Sequence, residues 1–266
     1  MSTIVVASTL GCAGKTTAAL CIAAALAKIQ ADTMPTVLID LDPIGDATRR
    51  MGLARDETDV LGPLLDGRLR AEDAMGGFTV LDAAQPTSEG FAMVPSSDYI
   101  AVTEAHFSAM VGGTALLIYR LRALGRSCRL VIDTAPGITT FLCRAAIAAA
   151  DVVVVPVVPT PGATRRVLDV VSLLRGMGGK AHVLVVASQT DGTTAGVDAL
   201  NDGLRNEQLT VSTWFPDEAD VANSASAIGT PLVLAPASMC AIAYVDIARK
   251  IEKLVAQSAH FTPVGR

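Results

Sequence analysis

The sequence is poor in the residues that build disulfide scaffolds and zinc sites. Its 266 residues include five cysteines and three histidines. No two cysteines form a C-x-x-C pair, and the histidines lie far apart along the chain. The sequence therefore predicts neither a disulfide framework nor a structural zinc site.

Charged residues are also scarce. They make up 18% of the chain and leave a net charge of −5, with a pI near 5.2. This balance argues against a protein whose whole surface grips nucleic acid, although a basic patch on one face could still bind it. The first apolar run is short and lacks the basic segment and cleavage site of a secretory signal, so we expect a cytoplasmic protein with reduced thiols.

Apolar residues, by contrast, are abundant: 51% of the chain is hydrophobic. That share can fill a substantial core, and we expect a single domain over residues 1–266. Short β-branched runs alternate with longer helical patterns, which predicts an α/β fold: a doubly wound, mainly parallel sheet with helices on both faces. The predicted strands lie near residues 3–8, 36–41, 78–82, 129–133, 152–158, 182–187 and 211–215.

A glycine-containing loop joins the first apolar strand, Ile4 to Ala7, to an alanine-rich helical pattern, Ala18 to Lys28. In this setting the loop predicts a phosphate site, because its N–H groups and the helix N-terminus attract anions. Lys15 would reach the β- and γ-phosphates and Thr16 would bind Mg²⁺. The simpler interpretation is a βα turn with an exposed lysine. The predicted nucleotide-binding residues here are Gly11, Cys12, Ala13, Gly14, Lys15, Thr16 and Thr17.

Two further predicted strands end in carboxylates. Asp40 and Asp42 follow one strand, and Asp133 ends another before a proline-containing turn. Ligands of open parallel sheets bind at the carboxyl ends of the strands, so these acids are expected beside the glycine loop. For phosphoryl transfer, Asp133 would hold Mg²⁺ through water, and Asp42 or Asp40 would position the attacking water. Helix capping or strand termination would explain each acid taken singly.

Together these motifs resemble the ParA/MinD group of deviant Walker A ATPases, and specifically its ParA partition branch. The loop resembles K-G-G-x-G-K-T-T, the segment from Asp40 to Thr48 resembles D-x-D-P-Q-G-x-x-T, and the segment from Asp133 to Gly137 resembles the D-x-A-P-G switch. A weaker match begins at Trp214-Phe215-Pro216 and runs to Pro231, and it adds Pro216 to the nucleotide-binding residues. The resemblance covers nearly the whole chain.

This resemblance implies an ATP-driven switch that positions a plasmid, a chromosome origin or another cargo. ATP and Mg²⁺ would promote a homodimer that binds DNA nonspecifically or another surface. A ParB-like partner would stimulate slow hydrolysis, and the protein could associate with the nucleoid. Lys15, Asp42 and Asp40 would be the catalytic residues, with Asp42 orienting water and Asp40 supporting it, while Thr16 and Asp133 would hold the metal.

The sequence departs from the family pattern at four positions. The signature lysine corresponds to Leu10, a loop glycine to Cys12, the glutamine of the second motif to Ile44, and the arginine after the late-strand proline to Asp217. Losing the lysine could weaken the dimer, slow hydrolysis or move the task to another cation. Cys12 is either a redox-sensitive thiol or, as we favour, a small residue in a glycine slot. The candidate replacement cations are Arg165, Arg166 and Lys180, and a solvated helix start is the favoured interpretation of the two arginines.

DNA and membrane contacts are less clearly encoded. Basic residues cluster modestly at Arg49/Arg50, at Arg165/Arg166 and in a predicted helix over 116–129 that carries Arg120, Arg122, Arg126 and Arg129. The C-terminal helical pattern, 241–256, could anchor to a membrane, but Asp246 and Glu252 dilute its basic face, so we expect it to pack against the sheet. Two alternatives stay open: a MinD-like scaffold with little turnover, and a dethiobiotin-synthetase-like ligase.

Overall fold

A single mixed sheet organises the molecule. The computed structural model describes residues 2–29, 34–55, 61–66, 80–190, 194–216 and 239–260. The sheet contains eight strands in the order β3-β4-β2-β5-β1-β6-β7-β8, and every neighbouring pair is parallel except β3 with β4. The strands are β1 (Ser2–Val6), β2 (Thr36–Leu41), β3 (Gln85–Pro86), β4 (Ala92–Val94), β5 (Arg129–Thr134), β6 (Val152–Val157), β7 (His182–Thr190) and β8 (Val211–Pro216).

Helices cover both faces of this sheet, as the continuously apolar strands require. One face is packed by α1 and α10, and the other by α5 to α9. The helices are α1 (Lys15–Ile29), α2 (Asp46–Arg50), α3 (Leu61–Asp66), α4 (Val80–Ala83), α5 (Ile100–Ala109), α6 (Gly113–Leu124), α7 (Phe141–Ala149), α8 (Ala163–Gly176), α9 (Ala195–Leu204) and α10 (Met239–His260), with a 3₁₀ turn at Arg205–Glu207.

Helix α1 is buried almost all round. Every residue from Ala18 to Ala27 is less than a tenth exposed. A helix that is apolar on all sides must be covered on all sides, and α1 lies between the sheet and α10. Its alanines allow this close packing because they add little bulk. The start of α1, where the glycine loop ends, is therefore held firmly in the core.

Three details of the predicted elements are wrong. Residues 80–82 are helical and not a strand; Val80 is buried within α4, and the strand of this region is β4, ten residues later. The helix predicted over 116–129 ends at Leu124. Arg129 belongs to β5, is 4% exposed, and pairs with Glu252 of α10 at 2.8 Å, so it is no part of a basic surface. Tertiary packing overrides local pattern in each case.

The C-terminal helix packs as expected. Tyr244, Ile247, Ala248 and Ile251 of α10 are buried in the same core as α1. This packing occupies the apolar stripe that an amphipathic membrane anchor would need. Among the helices the structure describes, none is both long and apolar enough to cross a membrane. Asp217 and the weaker motif match up to Pro231 lie outside the described residues.

Candidate functional site

The glycine loop forms a tight turn between β1 and α1. Two of its residues have left-handed backbone angles, Cys12 at φ 58° and Gly14 at φ 82°. Helix α1 starts with the bond from the N–H of Ala18 to the carbonyl of Gly14 at 2.8 Å. Lys15 is 6% exposed, and its Nζ donates to the carbonyl of Leu10 at 3.3 Å. The lysine of the loop is thus hydrogen-bonded within the loop itself.

The acids after β2 are held in a hydrogen-bonded network. Asp40 is fully buried and accepts from the N–H and the hydroxyl of Thr48 at 2.9 and 2.7 Å, and from the N–H of Asp42 at 3.1 Å. Burial raises the pKa of Asp40 to about 6, although these bonds oppose the rise. Asp42 is 6% exposed and accepts from the N–H of Ile44 at 2.9 Å. Asp40 therefore fixes the turn that presents Asp42.

Asp133 lies next to these acids across the sheet. The register of the parallel strands pairs it with Asp40 on one side and with Val6 on the other. It is fully buried, and within the described part of the chain neither carboxylate oxygen has a hydrogen-bond partner. Burial, and then the charge of Asp40, raise the pKa of Asp133 well above its usual value, while Thr16 and Lys15 oppose this rise.

The surroundings of Asp133 fit a divalent cation. A buried carboxylate without partners is costly, and a bound cation removes that cost. The described residues contain no group of three or more His, Cys, Asp and Glu side chains that could hold a metal by themselves. Mg²⁺ in nucleotide sites needs no such group, because one or two protein oxygens, phosphates and water complete its shell. Thr16 and Asp133 are the residues that would hold it.

The turn after β5 is tied directly to the strand that leads into the glycine loop. The hydroxyl of Thr134 donates to the carbonyl of Val6 at 2.8 Å, and the N–H of Gly137 donates to the carbonyl of Ser8 at 3.1 Å. Helix α7 follows at once, capped by the Thr140 hydroxyl, which accepts from the N–H of Cys143 at 3.2 Å. The turn after β5 is thus bonded to the end of β1 and to the segment that leads into the glycine loop.

Sequence reasoning missed two sets of contacts around the loop. Ser188 and Gln189, at the carboxyl end of β7, donate to the carbonyls of Ala13 and Cys12 at 3.0 and 2.8 Å. Ser96 is fully buried, and its hydroxyl donates to the carbonyl of Asp42 at 2.7 Å. The rule that ligands sit at the carboxyl ends of strands could have indicated Ser188 and Gln189. Nothing in the sequence around Ser96 signals its contact with Asp42.

The remaining predicted residues lie at the rim or away from the loop. Leu10 and Ile44 are 50% and 60% exposed, and Cys12 is also exposed. Pro216 ends β8 opposite Thr190. On α8, Arg165 pairs with Asp169 at 2.8 Å, and Arg166 donates to Val158, Thr160 and Pro161. Lys180 is an exposed residue just before β7.

With the loop and two acidic strand ends at one sheet edge, the family can be assigned. A family model described as an AAA domain matches residues 1–180. The chain belongs to this AAA domain family. The match confirms the prediction that the protein is an ATPase. No curated protein matches the chain.

Several solved structures share the fold of this AAA domain protein. McdA from Cyanothece superposes with a TM-score of 0.76 at 18% identity, covering 94% of this chain and 98% of McdA. MinD from Aquifex aeolicus gives 0.71 at 20%, covering 95% and 98%. Cobyrinic acid a,c-diamide synthase from Mycobacterium smegmatis, with bound ADP and magnesium, gives 0.68 at 23%, covering 95% and 95%. The predicted fold class and the resemblance to the ParA/MinD family are confirmed.

Proposed function

We propose that this protein is a ParA-like switch that binds ATP with Mg²⁺, hydrolyses it slowly, and uses its two nucleotide states to position a cargo. The observation that most supports the proposal is the meeting of Asp42 and Asp133 with Lys15 at one sheet edge. The ligands of similar folds agree with it: a Cyanothece McdA variant was solved as an ATP complex, and the synthase with ADP and magnesium.

Each residue of the site has a role in this reaction. Lys15 would exchange the carbonyl of Leu10 for the phosphates. When bound, Mg²⁺ would neutralise part of the negative charge of the phosphates. Thr16 and Asp133 hold the metal, and Asp42 orients the attacking water. Asp40 keeps Asp42 in place through the bond to its N–H, in which Asp40 is the acceptor at 3.1 Å.

We further propose that ATP brings two copies together. Leu10 and Ile44 lie at two of the positions where this chain departs from the family pattern, and both are exposed apolar side chains, 50% and 60%. Contact with a second copy would remove this surface from water, which is favourable. Sedimentation with ATP, ADP or no nucleotide tests the idea, and an ATP-specific dimer is expected. A monomer under all three conditions would contradict it.

DNA binding is the least supported element of the proposal, because several of its candidate cations are already paired with acids. Arg49 and Arg50 both pair with Asp46, and Arg165 pairs with Asp169. Surface pairs of this kind contribute only about 0–1 kcal/mol, so phosphates could replace the acids. A dimer would also place two weak faces side by side.

Retention on nonspecific duplex DNA at one stated salt concentration tests the proposal, since phosphate contacts are salt-sensitive. The comparison is between ATP, ADP and no nucleotide, with Lys15→Ala as the control. ATP-dependent retention that is lost in Lys15→Ala would support a DNA-associated switch with a ParB-like partner. Absence of retention, with ATP still bound, would favour a protein-directed relative such as a scaffold with little turnover.

Asp42→Ala tests the hydrolytic role. We expect ATP affinity close to wild type and turnover lower by about 100-fold or more, the range for a lost proton-transfer or water-orienting group. Asp46→Ala is a matched control, because Asp46 lies in the same segment and pairs with Arg49 and Arg50. Single-turnover hydrolysis and equilibrium binding separate the two effects. Turnover unchanged in Asp42→Ala would remove this residue from the reaction.

A further inference from the structure

Strand β7 leaves its regular pairing just where it reaches the glycine loop. It pairs with β6 in register up to Ala187, and its pairing with β8 shifts between Val185 and Val186 and again, beside the glycine loop, between Ala187 and Thr190. The two residues in that interval are Ser188 and Gln189. Irregularities of this kind re-aim side chains and are common beside active sites. Here both side chains turn toward the loop.

Their contacts with the loop are specific. The Ser188 hydroxyl donates to the carbonyl of Ala13 at 3.0 Å, and Ser188 is 9% exposed. The amide Nε2 of Gln189 donates to the carbonyl of Cys12 at 2.8 Å. A carbonyl can only accept, so the amide nitrogen must face it. Two successive carbonyls of the loop are thus held by two successive residues of β7.

The backbone at both ends of the Gln189 contact is unusual. Cys12 has φ 58° and Gln189 has φ 53°, the left-handed region that residues with a Cβ rarely adopt. A conformation of this kind is unfavourable for a residue with a Cβ and persists only when its surroundings fix it. The bond between these two residues provides that restraint. Without this bond, one of the contacts that hold Cys12 at its left-handed φ would be lost.

The held carbonyls decide where the loop presents its donors. Peptide units are planar, and no described peptide bond is cis, so each N–H points opposite to the carbonyl before it. Fixing the carbonyls of Cys12 and Ala13 toward β7 therefore turns the N–H groups of Ala13 and Gly14 the other way. Those N–H groups are the donors a phosphate cradle needs.

We propose that Ser188 and Gln189 are positioning residues that keep the glycine loop in its phosphate-binding conformation before nucleotide arrives. The ligand in this inference is that of the proposed function, on which it rests. A restraint of this kind raises the fraction of molecules ready to bind, so it changes affinity and leaves the chemical step alone. It serves ADP and ATP equally, because both carry the phosphates that the loop N–H groups bind.

The variants are Ser188→Ala, Gln189→Ala and the double variant. Gln189→Glu is added because it keeps the side-chain length and removes the donor. Gln208→Ala is the matched control, since Gln208 also has a left-handed φ of 58° but caps the 3₁₀ turn at Arg205–Glu207. Thermal unfolding of each variant is measured to check that the fold is retained.

The first measurement uses nucleotide-free protein, so it does not depend on the proposed function. Amide hydrogen exchange at Ala18, whose N–H donates to the carbonyl of Gly14 at 2.8 Å, is expected to be faster by about 10-fold in the double variant, since two restraints on the loop that carries this carbonyl are lost. Gln208→Ala should exchange like wild type. Unchanged exchange in the double variant would overturn the inference.

The second measurement is affinity for Mg²⁺-ADP and Mg²⁺-ATP. Each single variant, including Gln189→Glu, should raise Kd by about 3–10-fold and the double variant by about 10–50-fold, equally for both nucleotides. The kcat at saturating ATP should stay within about twofold. Affinities of the double variant equal to wild type, or an equal loss in Gln208→Ala, would overturn the inference. If wild type bound neither nucleotide, the proposed function would fail, while hydrogen exchange would still decide the role of these residues.

Discussion

Asp40 and Asp133 face each other across two neighbouring strands, yet their surroundings differ. Asp40 accepts three hydrogen bonds, two from Thr48 and one from Asp42. Asp133 is just as buried and has no hydrogen-bond partner among the described residues. One carboxylate is satisfied by the protein, and the other has the character of a ligand site. The difference separates a carboxylate whose cost of burial is offset by hydrogen bonds from one whose cost is not offset in this way.

The largest expected effect comes from replacing Asp133, whose carboxylate oxygens have no hydrogen-bond partner among the described residues. Asp133→Asn should weaken Mg²⁺-dependent nucleotide binding by about 10–100-fold, because a metal-orienting carboxylate is lost. The nucleotide-free protein should keep or gain stability, since an amide of the same shape is cheaper to bury than a charge. Titration calorimetry with and without Mg²⁺, together with thermal unfolding, measures both effects. A clear loss of stability without nucleotide would show that Asp133 has partners in the protein.

Replacing Asp40, the carboxylate that accepts three hydrogen bonds, should have the opposite effect on stability. Asp40→Asn places an amide N–H₂ against existing donors, so the free energy of unfolding should fall by about 1–3 kcal/mol without nucleotide. Denaturant titration measures this change. If Asp40→Asn were as stable as wild type, the contrast between the two acids would collapse. Turnover should fall as well, because the bond that positions Asp42 is weakened.

The pH dependence of stability should sharpen the contrast. Burial raises the pKa of Asp40 from 3.8 to about 6, and the pKa of Asp133 moves in the same direction. The folded protein therefore binds these protons more tightly than the unfolded chain. Stability from this source is present below the unfolded pKa and lost as pH rises through the folded value. Melting temperature without nucleotide should drop between about pH 4 and 7, and drop less in Asp133→Asn. An equal drop in Asp133→Asn would contradict the attribution of part of this pH dependence to the raised pKa of Asp133.

The smallest effect is expected from Ser96→Ala. This change removes the bond from the Ser96 hydroxyl to the carbonyl of Asp42, which is 2.7 Å long and buried, and leaves both carboxylates intact. We expect a loss of about 1 kcal/mol in unfolding free energy and nearly normal Mg²⁺ affinity. Comparison with Asp40→Asn then distinguishes the contribution of the turn around Asp42 to stability from the contribution of the Asp40 carboxylate. A Mg²⁺ defect as large as that of Asp133→Asn would show that the two regions are not independent.

Much of this arrangement could be predicted from the sequence, because its signals are local. A strand, a glycine loop and a helix follow one another directly at Lys15, and acids close two other strands at Asp42 and Asp133. Parallel strands then bring their carboxyl ends to one edge, so short motifs fix a site made from distant segments. The alternation of strands and helices also predicts a mainly parallel sheet with helices on both faces, but not the order of the strands within it.

The rest depended on contacts between residues far apart in the chain. The sequence groups Arg129 with a modest basic cluster, but the residue is buried and its side chain reaches Glu252, more than a hundred residues away. The donors Ser188 and Gln189 reach the loop from a strand some 175 residues later. Neither pairing leaves a local pattern, since each becomes visible only when the sheet and its helices are assembled.

The alanine packing of α1 has a genetic consequence. Ala19, Ala23 and Ala25 are 0% exposed, in a helix enclosed by the sheet and α10. A larger side chain there has no free volume to enter, so it must displace the helix. The start of that helix carries Lys15 and Thr16, and a displacement would move both of these proposed phosphate and metal ligands. Random mutagenesis screened for lost ATP binding should therefore recover substitutions along the interior of α1, up to several turns from the glycine loop.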